Sequence, residues 1–182
     1  GEALRALRKP GDLDGETVLL TAGPTREALD PVRYISNRSS GKMGLALALE
    51  ALARGARVIV VSGPVDLSWP PACEVTAVLS AAEMREAVLG HLKEATVVVA
   101  AAAVADDRPV AVAAEKIKKR DQPWRLDLEP TPDILAEVGR LKGDRLVVGF
   151  AAETEKVVEG ARRKLTQKNC DIIVANPVGT AA

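Results

Sequence analysis

Short apolar runs alternate along the chain with stretches of helical periodicity. Val18-Leu19-Leu20, Val58-Ile59-Val60-Val61, Val97-Val98-Val99 and the run from Leu146 to Phe150 are rich in β-branched residues and bounded by polar or turn residues. Continuous runs of this kind predict strands buried on both faces, as in parallel sheets. They place strands at Thr17–Ala22, Arg57–Ser62, Ala95–Ala102 and Leu146–Phe150, with two more near Glu74–Val78 and Asp171–Ala175. The spacing of Met43, Leu45, Ala46, Leu47, Leu49 and Leu52 predicts a helix that opens at Gly41 and closes at Gly55, a C-terminal cap. Ser80, with Glu83 three residues on, forms a capping box for a helix reaching about His91. Thr131-Pro132-Asp133 starts another, with Thr131 at the cap and Pro132 at the first position, running to Leu141. A last helix spans Thr154 to about Lys168.

Strands and helices alternating in this way predict an α/β fold. It is a Rossmann-like, doubly wound, mostly parallel sheet with helices on both faces. Residues 112–129 break the alternation; VAAEKIKK and WRLDLE are expected to pair as a small antiparallel extension across a turn at Asp121–Pro123. Residues 1–16, charged and interrupted by Pro10, Gly11 and Gly15, read as a linker from an upstream domain, leaving 17–182 as one domain. Doubly wound sheets bind ligands beyond the C-terminal ends of their strands. Three polar strand ends, Gly23–Gly41, Ala102–Lys119 and Phe150–Thr154, are therefore expected to converge.

Composition narrows the function. The chain has 182 residues, and its 25 basic residues balance 25 acidic ones, which argues against general binding of nucleic acid or anionic membranes. Aromatic residues make up 2%, so the core is aliphatic. Cys73 and Cys170 make neither a metal spacing nor a disulfide framework; they read as small buried hydrophobes and suggest a cytoplasmic protein. No apolar run reaches the roughly 20 residues of a membrane-spanning helix. His91, the one histidine, lies at a helix end without an evident partner.

The loop from Gly23 to Gly41 is far longer than an ordinary strand-to-helix connection, which marks it as functional. A strand leading through such a loop to a helix N-terminus offers unpaired N–H groups and the positive end of the helix dipole to an anion. Neither standard nucleotide motif is present. Gly41-Lys42 has Ser36 where a P-loop has its first Gly and Met43 where it has Ser or Thr, and Gly23 stands alone before Pro24 where a dinucleotide fingerprint needs three glycines. No triad or thiol pair suggests covalent catalysis. What the sequence offers is cations. Lys116 and Lys118 would share one face of a strand, and that arrangement equally suits a lysine-protected sheet edge. Lys164 and Lys168 share one helical face, which equally suits a solvated surface. Together they fit a triphosphate and the neutralisation of a pyrophosphate leaving group. Asp106 and Asp107 at a strand end could bind a ribose hydroxyl or hydrated Mg²⁺, or could simply form the turn.

Six segments in this order, GPTREALDPVRYISNRSSGKMG, AAAVADDRP, EKIKK, PDIL, VVGFAAET and ARRKLTQKNCDIIVANPV, resemble the phosphopantothenate–cysteine ligases (phosphopantothenoylcysteine synthetases). The resemblance is strongest to the form that makes up the C-terminal half of bacterial bifunctional coenzyme A biosynthesis proteins. It implies a two-step reaction. The carboxylate of 4′-phosphopantothenate attacks the α-phosphorus of CTP, releasing pyrophosphate, and the amine of cysteine then displaces CMP from the acyl-cytidylate. Mg²⁺ accompanies CTP. Gly23, Ser40 and Gly41, at the loop and helix N-terminus, are expected to face the phosphates, and by resemblance Ala101, Ala102, Ala103, Asp106, Lys116, Pro132, Asp133, Ile134, Phe150, Lys164 and Lys168 surround the nucleotide. Asn37 acts on the acyl-cytidylate with Arg33 beside it, and Lys116 also serves the cysteine-dependent step. The resemblance further implies a homodimer with the Asn37 loop near the partner subunit.

Two departures accompany the resemblance. The family pattern usually continues past ANPV, whereas this chain stops at GTAA, so the ligase domain is expected to lack its C-terminal segment. The flavin-dependent decarboxylase half would lie upstream of residue 1, so neither flavin nor decarboxylase activity is expected of this stretch. Two other functions compete: an NAD-dependent oxidoreductase, disfavoured by the missing glycine fingerprint, and a nucleotide-binding or assembly module without turnover.

Overall fold

In chain order the elements are β1 (Thr17–Ala22), β2 (Arg26–Ala28), β3 (Tyr34–Ser36), α1 (Lys42–Ala53), β4 (Arg57–Ser62), β5 (Cys73–Ala77) and α2 (Ala81–His91). They continue with β6 (Val97–Ala100), β7 (Asp107–Pro109), β8 (Leu128–Pro130), α3 (Ile134–Leu141), β9 (Leu146–Glu153), α4 (Val157–Gln167) and β10 (Ile172–Pro177). The structure, a computed structural model, describes residues 11–119, 121–153 and 155–177. Most of the expected linker, as well as Thr154 at the expected start of the last helix, lies outside the described residues.

Six strands form one parallel sheet in the order β10-β9-β6-β1-β4-β5. The chain winds outward from β1 in one direction, returns through α2, and winds outward in the other, so β1 and β6 flank the reversal of strand order. The strand alternation then sorts the core. Leu19, Ile59, Val98 and Val147 are in register across four strands, and they pack with Met84 and Val88 of α2 and Val138 of α3. Leu20, Val58 and Val60 face the other way, against Ala48 and Ala51 of α1. Small residues let α1 approach β1 closely: a Cβ added at Gly44 would come within 2.4 Å of the Ala22 Cβ. Among the described residues no helix is long and apolar enough to cross a membrane.

The structure matches the expected strands β1 and β4 residue for residue and bears out the doubly wound sheet. The capping box at α2 is present: Ser80 Oγ accepts from the Glu83 N–H at 3.2 Å, and Glu83 Oε2 accepts from the Leu79 N–H at 2.8 Å. Three expectations are corrected. First, the antiparallel extension pairs β7 with β8, and residues 112–119 form no strand, so Lys116 and Lys118 do not share a strand face. The physical reason is competition, since main-chain groups of Ala113 and Ile117 bond instead to the loop between β2 and β3. Second, the cap of α3 is Asp133, whose carboxylate accepts from the Ala136 N–H at 3.0 Å. Thr131 is drawn away to the loop after β6, where its hydroxyl donates to the Ala105 carbonyl at 2.5 Å. Third, the long polar loop after β1 contains a two-stranded hairpin of its own, β2 with β3.

Candidate functional site

β9, β6 and β1 are consecutive in the sheet, so the loops after their C-terminal ends meet. The loops after β1 and β6 are joined by main-chain and side-chain bonds. The Ala103 N–H donates to the Gly23 carbonyl at 2.8 Å, and the Ala105 N–H donates to Oγ1 of the fully buried Thr25 at 2.9 Å. Asn37 Nδ2 donates to the Val104 carbonyl at 2.9 Å. The loop after β1 is also anchored on its far side, where Glu27 Oε1, buried, accepts from the Ala81 N–H at 2.9 Å and so caps α2.

These loops enclose a cavity of about 740 Å³. Ten of the residues expected at the site line it: Asn37, Ala102, Ala103, Asp106, Pro132, Asp133, Ile134, Phe150, Lys164 and Lys168. Lys168, at the C-terminal end of α4, donates from its ammonium to Asp133 Oδ2. Burial acts to raise the Asp133 carboxyl, and the Lys168 ammonium and the Ala136 N–H outweigh it, so its pKa lies below the ordinary value. Packing fixes the backbone under this pair. A Cβ at Gly139 of α3 would lie 1.8 Å from the Lys168 carbonyl oxygen, and Asn169 Nδ2 donates to the Gly139 carbonyl at 2.8 Å. The cavity thus has a cationic wall from α4, an aromatic residue at Phe150 and small residues at Ala102 and Ala103. A half-enclosed site with few charged groups and one aromatic face suits a phosphorylated, ring-bearing ligand.

The remaining expected residues lie elsewhere. Ser40 lines an adjoining cleft of about 430 Å³ together with Arg26, Tyr34, Ser39, Lys42 and Asp66, and Asn37 and Arg38 border both spaces. Gly41 caps α1 with φ +73°, and Gly23 turns out of β1 with φ +74°. A Cβ at either would come within 2.7 Å of the Val65 side chain, so both positions combine a left-handed backbone with close contact. Ala101 packs against the core cluster under α1. Arg33 does not line the cavity; it forms an ion pair with Asp30 at 2.7 Å. Lys116 is exposed on the segment that this pair holds. Arg38, Thr21 and Thr131 line the cavity without having been expected at the site. For Arg38 the signal was present, a cation next to Asn37 in the same loop.

His91, expected without a partner, has its Nδ1 3.1 Å from Glu94 and its Nε2 3.4 Å from Thr76, and it does not line the cavity. Cys170 is buried as expected, and burial pushes its thiol up; Cys73 is half-buried. Among the described residues, no group of three or more His, Cys, Asp and Glu side chains gathers as a metal site.

Comparison with known proteins now bears on this geometry. The chain is 52% identical over 167 residues to the coenzyme A biosynthesis bifunctional protein CoaBC of Bacillus subtilis, covering 91% of this chain and 41% of that protein. It is 50% identical over 171 residues to the CoaBC protein of Escherichia coli K12, covering 92% of this chain and 42% of that protein. It therefore spans about two fifths of the length of these relatives. Among solved structures, the C-terminal domain of a CoaBC protein superposes with a TM-score of 0.82 at 47% identity, covering 91% of this chain and 79% of that one. A family model described as "DNA/pantothenate metabolism flavoprotein C-terminal domain" matches residues 13–182, and the chain belongs to that family.

Proposed function

We propose that this chain joins 4′-phosphopantothenate to cysteine at the expense of CTP, through an acyl-cytidylate, as a step in coenzyme A biosynthesis. One observation carries the reading. The cavity at the reversal of strand order brings Asn37, Asp106, Lys164 and Lys168 together from three separate sequence motifs. The names of the 50–52% identical relatives support the pathway.

In this reading the substrates supply nucleophile and leaving group, and the protein positions them and neutralises charge. Lys164 and Lys168 face the nucleotide phosphates, and the Asp133 carboxylate keeps the Lys168 ammonium at the cavity wall. The ring of Phe150 offers a face for the base, and Asp106 offers a carboxylate for a ribose hydroxyl. Asn37 uses one N–H on Val104 and has a second to hold the acyl oxygen as cysteine attacks. Lys116 approaches from the segment beside Arg33 and offsets phosphate charge during the second step. Mg²⁺ enters as part of the metal–triphosphate substrate. The functional unit is a homodimer, and the flavin-dependent decarboxylase belongs to a separate upstream domain.

The test is pyrophosphate release by the chain with Mg²⁺, CTP, phosphopantothenate and cysteine, with ATP replacing CTP in a parallel arm. CTP-dependent pyrophosphate release and amide formation support the reading. CTP binding without pyrophosphate release would replace it with a nucleotide-binding module.

A further inference from the structure

Asp30 is only 3% exposed, although it lies in a polar surface loop between β2 and β3. Its two oxygens have different partners. Oδ1 accepts from the N–H groups of Val32 and Arg33, both at 2.9 Å, and closes the turn of its own loop. Oδ2 accepts from Arg33 Nε at 3.0 Å, from Arg33 Nη2 at 2.7 Å and from the N–H of Ile117 at 3.1 Å. Arg33 Nη2 also donates to the Ile117 carbonyl at 3.1 Å. Both main-chain groups of Ile117 are thus engaged by one ion pair more than 80 positions away. The Ala113 N–H donates to the Leu29 carbonyl at 3.0 Å, and the Trp124 ring centre lies 5.5 Å from the Arg33 guanidinium.

Residues 112–119 have no strand or helix ladder, so contacts of this kind decide where the segment lies. Lys116 is the chain neighbour of Ile117. We propose that Asp30 is a positioning residue for the ligation: through Oδ2, with Arg33 as strut, it registers the Lys116 segment against the loop that carries Asn37. The inference rests on the reading of Lys116 as the lysine of the cysteine-dependent step. It also changes the part played by Arg33, whose guanidinium is committed to a buried carboxylate and a main-chain carbonyl before any substrate arrives.

Asp30→Asn in the whole chain separates the two oxygens. It retains an acceptor for the local turn and sets an NH₂ group against the donors of Arg33 and Ile117. Amide hydrogen exchange is expected to speed up about tenfold or more across 113–119, with β1 and α2 unchanged. Amide formation is expected to fall about tenfold, with the KM for CTP within about threefold. In a Lys116→Ala background the same substitution is expected to add less than about a twofold loss, because the two act through one element. Unchanged exchange across 113–119, or losses that multiply in the double variant, overturn the proposal. If Asp30→Asn does not fold, Ile117→Pro removes the N–H from the other side of the bond and leaves the ion pair in place; full amide formation by that variant also overturns it. If the unsubstituted chain forms no amide, the ligase reading fails, and the exchange experiment still decides whether Asp30 holds the segment.

Discussion

The side-chain amide of Asn37 donates to the main-chain carbonyl of Val104 at 2.9 Å, joining the loops after β1 and β6 across 67 positions of sequence. Asn37→Asp removes the donor and sets a carboxylate against a carbonyl oxygen. Turnover is expected to fall about tenfold or more while CTP affinity, followed by calorimetric titration, stays within several-fold. A tenfold loss of CTP affinity would instead make Asn37 a contact of the nucleotide.

Asp30 predicts the acid limb of stability. The Arg33 guanidinium holds its carboxyl well below the usual carboxylate range, against the effect of burial, and the N–H groups of Val32, Ile117 and Arg33 add to the lowering. A carboxyl lowered in the folded state contributes stability that is fully present above its unfolded pKa of about 3.9 and is lost as pH falls toward the folded value. The difference in Tm between wild type and Asp30→Asn should therefore be constant from pH 7 to about pH 5 and narrow below about pH 4. A difference that stays constant down to pH 3 would show that charge at Asp30 is not what stabilises the loop.

Gly139 sets how closely α3 approaches the end of α4. A methyl group there would meet the Lys168 carbonyl oxygen at 1.8 Å, so Gly139→Ala must push the two segments apart. A destabilisation of about 1–3 kcal/mol in urea unfolding is expected, as for other overpacked contacts. Weaker CTP binding should accompany it, because the displaced backbone carries Lys168.

Lys168→Met removes the ammonium that Asp133 holds at the cavity wall and keeps much of the aliphatic stem. CTP affinity is expected to fall about tenfold at low salt, and by a smaller factor at high salt, where screening has already weakened the wild-type contact. Equal losses at both ionic strengths would point to packing rather than charge.

Ser80→Ala provides a contrast. It removes the acceptor for the Glu83 N–H and should cost about 1 kcal/mol of unfolding free energy. Ser80 does not line the cavity, so the KM for CTP should not change. A shift in KM would show that the α2 cap, which Glu27 shares, transmits to the loop after β1.

Much of this was legible before the structure. β1 and β4 could be bounded to the residue because a strand buried on both faces must be apolar at every central position, and Thr17, Arg57 and Ser62 mark where that demand ends. The box of Ser80 and Glu83 was legible because both of its bonds close within one helical turn. The alternation of such elements was enough to bring the ends of β1, β6 and β9 together, and with them most of the cavity wall.

The remainder depended on partners far away in sequence. Residues 112–119 have a composition that suits an edge strand, yet their main-chain groups found Leu29, Asp30 and Arg33, and β8 paired with β7 instead. Thr131 has the local chemistry of a helix cap, but its hydroxyl serves Ala105, and the adjacent Asp133 caps α3 while holding Lys168. Arg33, expected beside Asn37 in the acyl-cytidylate step, is half of an ion pair with Asp30 in the fold. Local pattern determined the helices and the strands of the parallel sheet, because propensity, capping and continuous apolar burial act over a few residues. Only the tertiary structure decided which polar groups were left for a ligand, because a donor or acceptor in a loop bonds to whatever the packed sheet brings within about 3 Å.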